Sequence, residues 1–342
     1  MPDVIDMLQA LPHAVTPGPA GPDLAAADVA RGHRALRQRR RRRLTGAAGA
    51  GAGAVAAAVL VTTSVTAPQP ATRPGSARAG SASHAAVVTS TLVTLAAHIK
   101  ASGGALPGNA SLVIDKQVIG GKLMQVVYGL YTDHGAMYSG DDKKTLMTAV
   151  AHHSNLADGT NVREIAAARY AATGDLATAR KRMVNALPND FFLSFAARKK
   201  IWEKGAPARN ALMREKGIKT PLKMPTGQAL QEDINNYLWT GCTIALGWAG
   251  GNPQIREGVL RLVSTIPAVT VVNSRTGGQA TLTLTAGPAV FGGTGKQVLI
   301  ISARTGMPIS SWVGDLGPRT PPSLETYQVS RVTLASIKAG RF

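Results

Sequence analysis

The stretch NPQIREGVLRLVSTIPAVTVVNSRTGGQATLTLTA, residues 252–286, holds both kinds of regular structure side by side. In its first part Ile255, Val259, Leu262, Val263 and Ile266 recur at helical spacing, which predicts a helix with one apolar stripe. Asn252-Pro253 opens it, since proline suits the first helical position, and Pro267 stops it. This spacing puts Leu262 in the core and Arg261 in solvent. The second part changes period. Val269–Thr276 and Gln279–Ala286 read as strands, and Gly277-Gly278 between them is a hairpin signal.

The same two patterns extend outward. Towards the C-terminus, Lys296–Ala303 and Met307–Val313 read as strands joined around Arg304-Thr305-Gly306, and a last strand runs near Thr326–Leu334. Towards the N-terminus, Gln228–Trp248 predicts a long helix with Leu230, Ile234, Leu238, Cys242, Ala245 and Leu246 on one face. Lys219–Gly227 is a loop. Before it, Asn189-Asp190 reads as the cap of a helix carrying Phe191, Phe192 and Phe195, and Thr173-Gly174-Asp175 separates two more helices. The second of those is striped by Leu176, Ala179, Met183 and Leu187. Earlier still, Ala110–Val118, Lys122–Thr132 and His134–Ser139 read as strands, with a turn at Gly120-Gly121. A helix striped by Val88, Leu92, Leu95 and Ile99 precedes them. Strands, then helices, then strands with hairpin connections predict an α+β domain with a mainly antiparallel sheet packed on helices.

That domain spans residues 86–342. Leu44–Val65 is a run of 22 uncharged residues, enough for a transmembrane helix. Arg39–Arg43 abut it, so the positive-inside rule keeps residues 1–43 in the cytoplasm and sends the C-terminal domain outside. Pro68 directly follows Val65-Thr66-Ala67, the best cleavage site, which favours an uncleaved anchor. Residues 66–85 are rich in Pro, Ser and Ala and read as a tether.

Net charge is +19, of which residues 1–43 contribute +4 from eight Arg and four Asp. Such a balance points to anionic partners: lipid head groups or an anionic envelope polymer. Aromatic residues are 4% of the chain, which weighs against base stacking on nucleic acid. The single cysteine, Cys242, excludes an intramolecular disulfide and any multi-cysteine metal site. No metal, cofactor or catalytic residue is assigned. His152 and His153 are adjacent on a predicted helix and diverge, and only the fold could bring His134, Asp133, Asp141 and Asp142 to them. Phe291-Gly292-Gly293-Thr294-Gly295-Lys296 departs from a phosphate loop, with Val290 in place of the first glycine and Gln297 in place of Ser or Thr. Lys199, Lys200, Lys204, Arg209 and Arg214 form the densest basic face of the domain.

Three segments carry a resemblance to a family. They are the acidic-apolar start Asp3–Leu11 with its Arg-rich stretch into an Ala-rich span, REGVLRLVSTIPAVTVV (Arg256–Val272), and KQVLIISARTGMPISSW (Lys296–Trp312). Together they resemble an actinobacterial family of uncharacterised single-span membrane proteins often encoded beside an extracytoplasmic-function sigma factor. The resemblance implies topology and genetic neighbourhood rather than a reaction. The sheet-plus-helix pattern is also similar to the half-barrel of lipoprotein carriers. The expected function is non-enzymatic: the outer domain binds an envelope component or an apolar ligand. The alternative is a membrane-anchored regulator that docks a sigma factor through its N-terminal tail.

Overall fold

The computed structural model describes residues 91–102, 107–156, 159–215, 223–292, 295–314 and 321–342. The tail, span and tether expected over 1–85 lie outside the described residues, and with them the tail expected in the alternative reading to dock a sigma factor. Among the described residues no helix is long and apolar enough to cross a membrane.

A helix over residues 91–101 (α1) leads into strands Ala110–Ile119 (β1), Lys122–Thr132 (β2) and Met137–Gly140 (β3). Helices Lys143–Ala151 (α2), Gly159–Thr173 (α3), Leu176–Val184 (α4), Phe195–Lys204 (α5), Ala206–Glu215 (α6), Gly227–Ala249 (α7) and Pro253–Val263 (α8) follow. Strands Val269–Thr276 (β4) and Gln279–Ala286 (β5), a helical turn Pro288–Phe291 (α9), strands Lys296–Ser302 (β6), Pro308–Gly314 (β7) and Ser323–Val332 (β8), and helix Leu334–Lys338 (α10) complete the order. The eight strands form one sheet, β3-β2-β1-β8-β7-β6-β5-β4, antiparallel at every pairing. The protein is therefore an α+β domain with an antiparallel sheet and packed helices.

Local chemistry sets the element ends. Gly120-Gly121 and Gly277-Gly278 all have positive φ, the conformation a two-residue hairpin turn of matching twist requires. Side-chain oxygens of Asp142, Asp175, Ser194, Asn252 and Thr333 accept from the first-turn N–H groups of α2, α4, α5, α8 and α10. Ser194 thus starts α5, so Asn189 and Asp190 do not cap that helix. Asn189 instead donates to the Val184 and Leu187 carbonyls and accepts from the Phe191 N–H.

Most of the core lies between the sheet and α1, α3, α4, α7 and α8. Leu282, Leu284, Leu299 and Ile301 from the sheet meet Leu238, Trp239, Cys242 and Leu246 of α7 and Leu260 of α8 there. A smaller cluster under α2 and α10, containing Leu112, Leu130, Tyr138, Leu146 and Ile337, covers part of the opposite face. Helix α8 is more deeply placed than one stripe implies. Every residue from Ile255 to Leu260 is buried, Arg256 and Glu257 included. Arg256 is satisfied by the Thr305, Gly250 and Gly251 carbonyls at 2.7, 2.7 and 3.0 Å, and burial, with the Arg331 charge beside it, lowers its pKa to about 10. Arg261, expected in solvent, is half-buried and donates to the Ala171 and Ala172 carbonyls at 2.6 and 2.8 Å.

Asp133, at the end of β2, ties four elements together. It forms an ion pair with Arg331 of β8 and accepts from Asn252 at 2.9 Å, while its carbonyl accepts from Arg169 of α3. Burial alone would raise its pKa, but the bonds from Arg331 and Asn252 and the Arg331 and Arg169 charges outweigh burial and lower it.

Asp233 on α7 moves the other way. Burial first, then the Glu232 carboxylate, push it up to about 6 against the opposing charge of Arg198. A raised carboxyl pKa means the fold favours the neutral form. Its stability contribution is full at low pH and is lost as pH rises from 3.8 to about 6. Asp233→Asn should therefore stabilise the protein at pH 7 by about 1 kcal/mol after solvent screening, and not at all below pH ~4. Urea melts at the two pH values check this, and an equal gain at both would refute it.

Candidate ligand groove

Where α4, α7 and the α8–β4 connection converge, a groove of about 510 Å³ opens, lined by Leu176, Ala177, Arg180, Gln231, Asn235, Thr265 and Pro267. Asp175 caps α4 and fixes its first turn, so Arg180, one turn past Leu176, points across to its neighbours. Gln231 and Asn235, four apart on α7, share a face. Thr265 is held by its own hydroxyl, which donates to the Leu262 carbonyl at 2.6 Å.

Arg180 defines the chemistry. It donates to the Thr265 carbonyl at 2.9 Å, to the Thr265 hydroxyl at 2.6 Å and to the Asn235 amide oxygen at 2.7 Å. Gln231 donates to that same amide oxygen at 3.0 Å. All of these acceptors are neutral, and among the described residues no carboxylate pairs with Arg180. Burial lowers its pKa. A partly desolvated guanidinium with neutral partners holds uncompensated charge, and a carboxylate or phosphate is its natural complement. Leu176, Ala177 and Pro267 add an apolar wall.

A second polar array crosses the helix-facing side of the sheet. Gln125 donates to Gln117 at 3.0 Å, Gln117 reaches Glu325 at 3.3 Å, and the Tyr327 hydroxyl donates to Glu325 at 2.7 Å. Further along, Gln297 donates to Ser311 at 2.8 Å and accepts from the Trp239 indole at 2.7 Å. Burial, then the Glu325 carboxylate, hold the Tyr327 phenol well above its usual titration range. These groups satisfy one another, so the array works as an internal seam that fixes strand register rather than a vacancy for a ligand.

The residues singled out in the sequence are dispersed. His152 caps the end of α2 and His153 follows it in a positive-φ conformation, so neither is inside a helix, and both are exposed with His134. Asp133 is committed to Arg331 and Asp142 to capping α2. Among the described residues no three His, Cys, Asp or Glu side chains gather where one ion could be held. Cys242 is fully buried, and burial, then the Glu164 charge, raise its thiol far above the usual range. Within the phosphate-loop-like stretch, residues 293–294 lie outside the described residues, and Lys296 opens β6 with its ammonium over the Trp312 ring, 5.4 Å from the ring centre. The basic face is smaller than its sequence implies. Arg209 is buried, stacked 3.7 Å from the Trp202 ring centre, and donates to the Trp202 carbonyl. Lys199 lies 3.7 Å from Glu203.

Arg180 was not among the sequence candidates, although a signal exists. It sits four residues after Leu176 on the edge of the α4 stripe, and positions three and four away on either side, Leu176, Ala177, Met183 and Val184, hold no acid to pair with it. No known protein family, curated protein or solved structure matches the chain.

Proposed function

We propose that this chain is a non-enzymatic binding protein whose α+β domain sits outside a single-span membrane anchor and takes a small amphipathic anion in the α4–α7 groove. The observation that carries the reading is Arg180, a partly desolvated cation with neutral partners at the wall of an open groove. The apolar wall suits a ligand with a short hydrocarbon portion beside its carboxylate or phosphate, which narrows the envelope components it would bind. Hexyl phosphate should raise the melting temperature of the full chain in detergent and give saturable heat in calorimetry, while hexanol should do neither. Arg180→Gln should abolish binding and Arg180→Lys weaken it, because lysine keeps the charge without the planar fork. Equal binding by the folded Arg180→Gln variant would refute the groove.

The anchor has its own test. Protease added to sealed spheroplasts should degrade the chain beyond Val65 and leave residues 1–43 protected, as the run Arg39–Arg43 requires. Protection of the C-terminal domain would overturn the topology.

A further inference from the structure

The turn between α4 and α5 exposes three large apolar side chains within four positions. Phe192 is 40% exposed, Leu193 49% and Phe195 61%. The turn is firmly held beneath them. Phe191 is buried edge-on against Tyr237 with ring centres 4.9 Å apart, and Asn189 fastens the backbone through three hydrogen bonds. Ser194 then caps α5. The fold thus spends one aromatic on anchoring the turn and projects the next three apolar side chains outward. Exposure this high leaves the three side chains in water, and a cluster of apolar groups in water marks an interaction site.

Cations surround the tip. The Lys181 ammonium lies 5.8 Å from the Phe192 ring centre. Lys199 follows Phe195 by four residues and so stands one turn above it on α5, with Lys200 beside it, both exposed. Asp190 and Glu203 are the acids nearby in sequence, and Glu203 lies beside Lys199. Exposed apolar side chains with lysines beside them suit a bilayer surface, where rings enter the acyl boundary and ammonium groups meet the phosphates.

We propose that the Phe192–Phe195 tip docks the domain onto an anionic lipid surface. The proposal does not depend on the groove or on its ligand. The test uses the full chain carrying Leu193→Cys, labelled with a polarity-sensitive maleimide dye and reconstituted into vesicles. Cys242 is fully buried as a thiol and stays unlabelled in the folded protein. Gln279→Cys, at the exposed β4–β5 turn, serves as the control position.

On vesicles of equal phosphatidylglycerol and phosphatidylcholine, the Leu193 label should emit to the blue of its value on phosphatidylcholine alone, and the Gln279 label should stay water-like. Lys181→Gln and Lys199→Gln should each lower the docked-to-free ratio by roughly five-fold. Water-like emission at Leu193 on both membranes would overturn the proposal. So would an equal blue shift at both labels, an equal shift on the two membranes, or a shift that follows protein concentration without lipid, which would make the tip a contact between copies of this chain.

Discussion

Gly258→Ala is expected to destabilise the protein by about 3 kcal/mol, although alanine is the better helix former by about 1 kcal/mol. A Cβ at Gly258 would lie 1.7 Å from the Ala168 carbonyl oxygen and 2.8 Å from its carbon. Those are backbone atoms of α3, so no rotamer change relieves the clash. The facing surface of α3 is already built from the smallest side chains, since Ala168, Ala171 and Ala172 are all buried there. The helices would have to separate, which opens the most deeply buried part of the domain. Gly247→Ala supplies the contrast. It lies inside α7, and a Cβ there meets nothing within 4 Å, so the same change should stabilise by about 0.5–1 kcal/mol. Equal urea midpoints for the two variants would mean that α3 and α8 do not pack through Gly258.

Leu262→Ala should cost about 2–5 kcal/mol, because its side chain is fully buried and a cavity remains. Its neighbour is more telling. A solvent-facing Arg261 would cost about 0.5 kcal/mol or less when cut to alanine. The two bonds from Arg261 close the C-terminal carbonyls of α3, so Arg261→Ala should instead cost about 1.5–3 kcal/mol. Denaturant melts distinguish the cases, and a loss below about 0.5 kcal/mol would show that water replaces the guanidinium without penalty.

The contrast between these residues shows what the sequence conveys. Period and turn residues placed the elements well. Lys122–Thr132, Val269–Thr276 and Gln279–Ala286 form as expected, and Gln228–Trp248 is short of α7 by one residue at each end. Helix boundaries were legible where a turn or opening residue stands next to a clear stripe, as at Thr173-Gly174-Asp175 and Asn252-Pro253. At Asn189-Asp190 the aromatic run obscured the boundary, because Phe191 looks inward from a turn while Phe195 begins the helix facing out. Two arginines were misread. Arg209 and Arg261 both end on main-chain carbonyls, as does Arg256, and such carbonyls carry no sequence signature. The groove was illegible for the same reason: it joins α4, α7 and the α8–β4 connection, which no local pattern relates.

The pairing of β1 with β8 sets an order on biogenesis. Gln117 meets Glu325, its partner across the centre of the sheet, over a separation of 208 residues. As the chain emerges from a ribosome or a translocation channel, β1 can zip to β2 at once, but its other edge waits until nearly all of the domain has been delivered. Closing so long a loop is slow, and the open edge is a template for wrong pairing in the interval. Premature termination between Gly314 and Ser323 leaves two such edges, on β1 and on β7, in the same unfinished copy. A chain missing only the last strand would therefore offer both edges of the split sheet to its neighbours for pairing.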